Sequence, residues 1–384
     1  MAEDHYTGGA WHLMQVTPTA RRLAVMPTVP HSAPLDADDL RVRVHKAIGD
    51  FISQQRGILD GISDDLEPLV EAVTDLCDGG KRLRPAFAWW GWRGAGGADI
   101  EQALNAVASL EFLQACALIH DDVMDGSDTR RGLPSAHRRF ASVHRQSAWL
   151  GSPESFGVGA AILLGDLCLS WADEMLMSSG LDAESLRRAK SIYDEMRTEL
   201  MAGQYLDLLE QARGGGDAQR AMLVVRYKSA KYTIERPLHL GAALAGADPQ
   251  IMAAYTGYGL PLGEAFQLRD DVLGVFGDPG ETGKPAGDDL REGKQTVLVA
   301  TAMDRATPAQ AAQIRRHLGD PGLDTEGVQQ LRTIITETGA LAEVESVIEA
   351  LTDEAVASLD SVSLAPPATE VLTGLAYAAT RRSV

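Results

Sequence analysis

Twice in this chain of 384 residues an apolar helical pattern runs straight into adjacent aspartates and then into a turn. The first instance is the stretch Leu118-Ile-His-Asp-Asp-Val-Met-Asp125. Leu110, Leu113, Ala117 and Leu118 recur at helical spacing, which predicts a helix with Asp121 and Asp125 on one face and Asp122 beside them. The second is Gln267-Leu-Arg-Asp270-Asp271, again at the end of an apolar helical run. Carboxylates so spaced repel one another, and more strongly at a cleft wall than in water, so each cluster calls for a cation. Hard oxygen donors with no His or Cys among them suit Mg²⁺. Two acid-tipped helices facing each other across a bundle would cage such ions around a departing diphosphate. Asp121 and Asp270 are therefore expected to share one hollow.

The rest of the chain is read around that expectation. Ala, Leu and Gly dominate over β-branched runs, which predicts an all-α fold. A net charge of −19 excludes nucleic acid and a polybasic membrane anchor, so any phosphate-binding cations must be local. Four candidates stand out. Lys81 and Arg84 follow the Gly79-Gly80 turn, and Arg130 and Arg131 follow the first acidic cluster. Lys228 with Ser229 precedes Pro237, where a kink near Arg236 is predicted, and a loop carries Lys284 and Lys294. Glu199, Gly203, Gln204 and Asp207 read as a solvated helix surface. Residues 132–157 read as a long loop with a short helix, a candidate lid. Residues 1–36 read as a disordered leader, and 37–384 as a single domain whose part beyond Pro308 serves packing and subunit support. Cys77, Cys116 and Cys168 lack metal-ligand spacing and suit a reducing cytoplasm. No run reaches the length of a transmembrane segment, and 160–169, broken by Asp166, reads as a buried helix.

Taken together and in this order, these motifs resemble the all-trans isoprenyl (polyprenyl) diphosphate synthases, most closely the bacterial geranylgeranyl diphosphate synthases. The likeness covers roughly residues 38–384. It rests on Gly80 to Pro85, on Asp121 to Asp125 with the paired arginines, on Lys228-Ser229, and on Gln267 to Asp271. It implies an isoprenoid-synthase-type helical bundle around a deep central cavity, usually a homodimer. The implied activity is Mg²⁺-dependent condensation of isopentenyl diphosphate with an allylic diphosphate. Three Mg²⁺ ions would be held by Asp121, Asp122, Asp125, Asp270 and Asp271. Arg130, Lys228, Lys284 and Lys294 would bind the allylic diphosphate, and Lys81, Arg84, Arg131 and Gln114 isopentenyl diphosphate. Ser229 and Gln267 would face the developing carbocation.

Product length follows from sterics. Cys116 and Ala117 lie about one turn below Asp121, with Leu113 another turn down. Small residues there leave the floor open and favour a twenty-carbon product or somewhat longer. One position departs from the family's second DDxxD motif, whose last residue is here Gly274; the third metal is expected to be held less tightly. A class I terpene cyclase also ionises diphosphates on an aspartate helix, but its second motif is of asparagine, serine and glutamate type. A regulatory subunit of a heteromeric synthase would have lost aspartates from the first motif. The cyclase pattern is not matched, and this chain keeps the first-motif aspartates, so Gly274 is the one opening left to the subunit alternative.

Overall fold

The computed structural model describes residues 39–214, 217–278 and 287–381; the leader 1–36 and Lys284 lie outside them. The described chain is helical apart from one two-residue hairpin, Thr129–Arg130 against Leu133–Pro134. The first helices are α1 (Leu40–Asp60), α2 (Glu67–Cys77), α3 (Leu83–Gly94), α4 (Glu101–Ala108) and α5 (Leu110–Met124). After the hairpin come α6 (Ala136–Gln146), α7 (Pro153–Met177), α8 (Ala183–Arg213) and α9 (Ala218–Val224). A π-helix, Val225–Glu235, leads into α10 (Arg236–Ala245) and α11 (Pro249–Phe276). Among the described residues six further α-helices follow, from Asp288–Glu292 to Ala368–Thr380.

Local chemistry sets the boundaries. Asp182 and Asp248 cap α8 and α11, each accepting from two backbone amides of the first turn. Gly80 has φ of 111°, a conformation that lets the chain turn sharply between α2 and α3. One apolar cluster fills the space between α1 to α8 and α10, with Trp89, Trp90, Phe87 and Phe112 fully buried. A second joins α9 and the end of α11 to the helices beyond Val297.

Three expectations change. The stretch 132–157 is mostly helix: α6 packs along α7 and buries His137, Phe140, Ala141 and His144. Buried histidines on the inner face hid its periodicity. The kink expected near Arg236 is instead a π-helix ending at Glu235, with Pro237 in the first turn of α10. Wide turns need room, and a Cβ on Gly263 of α11 would come within 2.6 Å of Ala230 Cα. Finally, α7 is buried on one face only. Gly157, Ala161, Leu164, Cys168 and Trp171 face inward, whereas Phe156, Ile162 and Leu163 are exposed. By length and hydropathy both α7 and the α4–α5 stretch could cross a membrane, but the α4–α5 stretch is mostly buried in the protein.

Candidate active site

A cavity of about 820 Å³ opens at the ends of α5 and α11. Glu111, Gln114, Leu118 and Asp121 recur at three- and four-residue intervals, so one face of α5 forms a wall. Phe266, Gln267, Asp270, Asp271 and Gly274 form the wall on α11. Asp121 and Asp270 thus line the same hollow.

On the α5 side, Asp121 is surrounded by donors. Lys228 Nζ lies 3.0 Å from its Oδ1, Gln204 Nε2 donates to the same atom at 2.9 Å, and Arg130 Nη2 is 3.8 Å from Oδ2. Burial alone raises a carboxyl, but these partners outweigh it and hold Asp121 below the usual carboxylate range. Lys228 is itself shared, donating to Asp207 Oδ2 at 2.6 Å. Asp122 is buried and pairs with Arg130, so it supports that arginine; neither Asp122 nor Asp125 is among the residues lining the cavity. Asp125 has a buried Oδ1 with no hydrogen-bond partner, and burial with the nearby Asp121 pushes its carboxyl up to about 6.

On the α11 side, burial pushes Asp271 up to about 8, with Asp289 and Asp270 adding like charge and Gln267 offsetting them through a 2.8 Å hydrogen bond. Lys294 Nζ lies 3.0 Å from Asp289 Oδ1 and 2.8 Å from Glu292. Burial disfavours its charge, but these two acids outweigh burial and raise its pKa.

The basic part of the cavity lies at the α2–α3 turn. Arg84 stacks on the Tyr232 ring, 4.2 Å from its centroid, and donates to Thr233 Oγ1 at 2.9 Å. Tyr232 in turn donates to Gln114 Oε1 at 3.0 Å, so the π-helix sets both Arg84 and Gln114. Arg131 donates to Leu76 O at 2.9 Å and spreads over Gly79 and Gly80. Lys81, Arg130, Lys228, Ser229 and Lys294 line the same cavity. Buried Arg82 braces the turn by pairing with Glu111 and with the Cys77 carbonyl.

The chain-length residues fall elsewhere. Neither Leu113, Cys116 nor Ala117 lines this cavity. Leu113 and Cys116 are fully buried, and Cys116 Sγ sits 3.7 Å from His120 Nδ1, whose ring lies against Gly165 of α7. Cys116 faces α7, so the part of the hollow that these three residues were expected to floor is not the part lined by Asp121 and Asp270.

Gln204 and Asp207, read from sequence as a solvated surface, reach the centre of the site. The clue was Gly203, where an added Cβ would come within 2.8 Å of Lys228 Cα. A glycine in the middle of a long helix costs stability and marks a close backbone approach. Tyr232, Thr233, Asp289 and Arg381, also on or beside the cavity wall, carried no signal of their own.

The donor set fits divalent magnesium. Asp121, Asp125, Asp270, Asp271 and Asp289 offer oxygens only, and Asp125 keeps a buried oxygen without a partner. Among the described residues no three acids already converge as a metal cage; lysine and arginine nitrogens lie against the carboxylates instead.

The raised carboxyls have a measurable consequence. In the folded chain Asp125 and Asp271 keep protons that the unfolded chain gives up near pH 4. Stability from those protons is present at low pH and lost as pH rises through about 6 and about 8. The melting temperature of chelator-treated protein is expected to fall by a few degrees between pH 6 and pH 9. A flat profile would contradict the burial of Asp271.

Known proteins match this geometry. The family model described as polyprenyl synthetase matches residues 67–335. A geranylgeranyl pyrophosphate synthase from Corynebacterium glutamicum, solved with isoprenyl diphosphate and magnesium, is 44% identical with a TM-score of 0.87, covering 90% of this chain and 99% of that one. The geranylfarnesyl diphosphate synthase of Aeropyrum pernix is 35% identical over 275 residues, 70% of this chain and 79% of that protein. The octaprenyl diphosphate synthase of Escherichia coli is 31% identical over 339 residues, 85% of this chain and 95% of that protein.

Proposed function

The chain belongs to the polyprenyl synthetase family and is a trans-prenyltransferase, and on that premise we propose that it condenses isopentenyl diphosphate with an allylic diphosphate to give geranylgeranyl diphosphate. The observation that carries this reading is one cavity with Asp121 and Asp270 on two walls and Lys81, Arg84 and Arg131 beside them. Acids with a metal suit a diphosphate that leaves, and side-chain cations without a metal suit one that stays.

Three Mg²⁺ ions held by Asp121, Asp125, Asp270 and Asp271 would neutralise charge growing on the leaving diphosphate. Arg130 and Lys228 hold that diphosphate from the α5 and π-helix sides, with Lys294, and Lys284 beyond the described residues, as further donors. Lys81, Arg84, Arg131 and Gln114 hold isopentenyl diphosphate so that its double bond faces the carbon that ionises. Oriented in this way, the two reactants meet without the entropy cost of a free encounter. Ser229 and Gln267 turn oxygen dipoles towards the allylic cation. The proton lost after bond formation passes to the released diphosphate.

The twenty-carbon product rests on the likeness to the Corynebacterium enzyme. A second copy of the chain is the proposed cover for the exposed Phe156, Ile162 and Leu163 on α7, giving a homodimer. Three buried, unpaired cysteines suit a reducing cytoplasm.

Labelled isopentenyl diphosphate incubated with each allylic primer and Mg²⁺ is expected to yield a twenty-carbon diphosphate as the main product. Longer products would overturn the assigned length. No elongated product with any primer would overturn the reading itself.

A further inference from the structure

Lys81 stands between two residues of positive φ, Gly80 at 111° and Arg82 at 55° with ψ of 35°. Glycine takes such a backbone at no steric cost, whereas a residue with a Cβ populates it about tenfold less. At the second bend the chain nevertheless uses an arginine. Arg82 opens α3: its carbonyl accepts from Ala86 N at 3.0 Å, and Arg84 follows in the first turn. Its side chain is buried, and both terminal nitrogens are engaged by the protein, Nη1 donating to Glu111 Oε2 and Nη2 to the Cys77 carbonyl. Glu111 is buried as well and belongs to the wall of α5 that also presents Gln114, Leu118 and Asp121. The pair therefore ties the α2–α3 turn to the wall helix, and Lys81 and Arg84 line the cavity on either side of it.

We propose that Glu111 is a positioning residue for the second diphosphate: by pairing with Arg82 it clamps residue 82 in its left-handed conformation, and this aims Lys81 and Arg84 at isopentenyl diphosphate. A buried ion pair is a weak source of stability, since attraction in the interior is offset by the cost of leaving water. Fixing one backbone geometry is a use that suits it. Without the carboxylate the left-handed form is one of several, only that form presents both cations, and apparent affinity falls by its share of the population. This assignment rests on the proposed reading of Lys81 and Arg84 as the isopentenyl diphosphate site.

Steady-state kinetics that read KM for each diphosphate separately test the clamp. Glu111→Gln keeps the shape but removes the charge, and is expected to raise KM for isopentenyl diphosphate about tenfold, with kcat and KM for the allylic substrate changed less than about threefold. Two double variants separate a backbone clamp from a charge effect, since each removes the pair without stranding a buried ion. Arg82→Ala with Glu111→Gln is expected to stay about tenfold weak, because alanine still resists the left-handed form. Arg82→Gly with Glu111→Gln is expected to return KM to within about threefold of the unaltered protein, because glycine adopts that form freely. Direct contact of either side chain with the ligand would leave the two doubles alike. Melting curves identify any variant that fails to fold, and if Glu111→Gln is one, the doubles decide. Unchanged KM for isopentenyl diphosphate in folded Glu111→Gln, equal values in the two doubles, or a parallel rise in KM for the allylic substrate overturns the assignment. No elongated product from the unaltered protein overturns the functional reading beneath it.

Discussion

Asp121→Ala is expected to lower kcat by about a thousandfold or more while leaving the fold standing, because the lost carboxylate acts on charge that develops only as the allylic bond breaks. A thousandfold corresponds to about 4 kcal/mol of transition-state stabilisation, the scale expected of a metal contact in a water-poor site. Folding is spared for a structural reason. Lys228, which pairs with Asp121 at 3.0 Å, keeps Asp207 at 2.6 Å, and Gln204 is uncharged and only partly buried, so no buried charge is stranded. Asp122 contrasts with this: it is buried against Arg130, and its loss would leave a guanidinium without its main partner. Steady-state kinetics with a melting curve in parallel test the claim. Activity of Asp121→Ala within tenfold of the unaltered protein would show that the first metal is held elsewhere.

The acidic ends were legible because the sequence states them locally: an apolar face of period 3.6, then carboxylates on that same face. The end of α2 at Cys77 was legible in the same way, since Asp78-Gly79-Gly80 offers a helix no continuation. What stayed hidden depends on partners distant in sequence. Gln204 and Asp207 look like any polar helix surface until Lys228 is brought against them, and the π-helix exists because glycines on α8 and α11 leave room for it. Asp289 is the sharpest case. As part of Asp288-Asp289 it reads as a charged loop; only its contact with Gly274 brings it to the cavity wall. For α7, periodicity correctly indicated a helix but could not show which apolar face meets protein, because that depends on neighbours as much as on residues.

The same distinction between local and distant causes identifies a position where substitution is expected to be far more damaging to stability than at the acidic site. Where α3 crosses α10 the two backbones are in contact through reciprocal glycines. A Cβ on Gly241 would come within 2.6 Å of Trp92 N and 2.8 Å of Ala88 C, and one on Gly91 within 3.0 Å of Leu238 C. The obstacle is main chain on both sides, so no side chain can swing aside. Gly241→Val must push the helices apart at a point walled by fully buried Trp89, Trp90, Leu238 and Leu240, with an overpacking cost of about 3 kcal/mol or more. For a chain of this size that corresponds to a fall in melting temperature of about 4 °C. Substrate binding should suffer with it, because α3 carries Arg84 and the π-helix running into α10 carries Thr233, which holds Arg84 at 2.9 Å. Gly49→Val is the matched control, on exposed helix with nothing within 4 Å of the added Cβ, and should leave melting unchanged or slightly raised. If the two variants melted together, the α3–α10 crossing would be looser than its backbone contacts require, and the rigidity assigned to Arg84 would lose its basis.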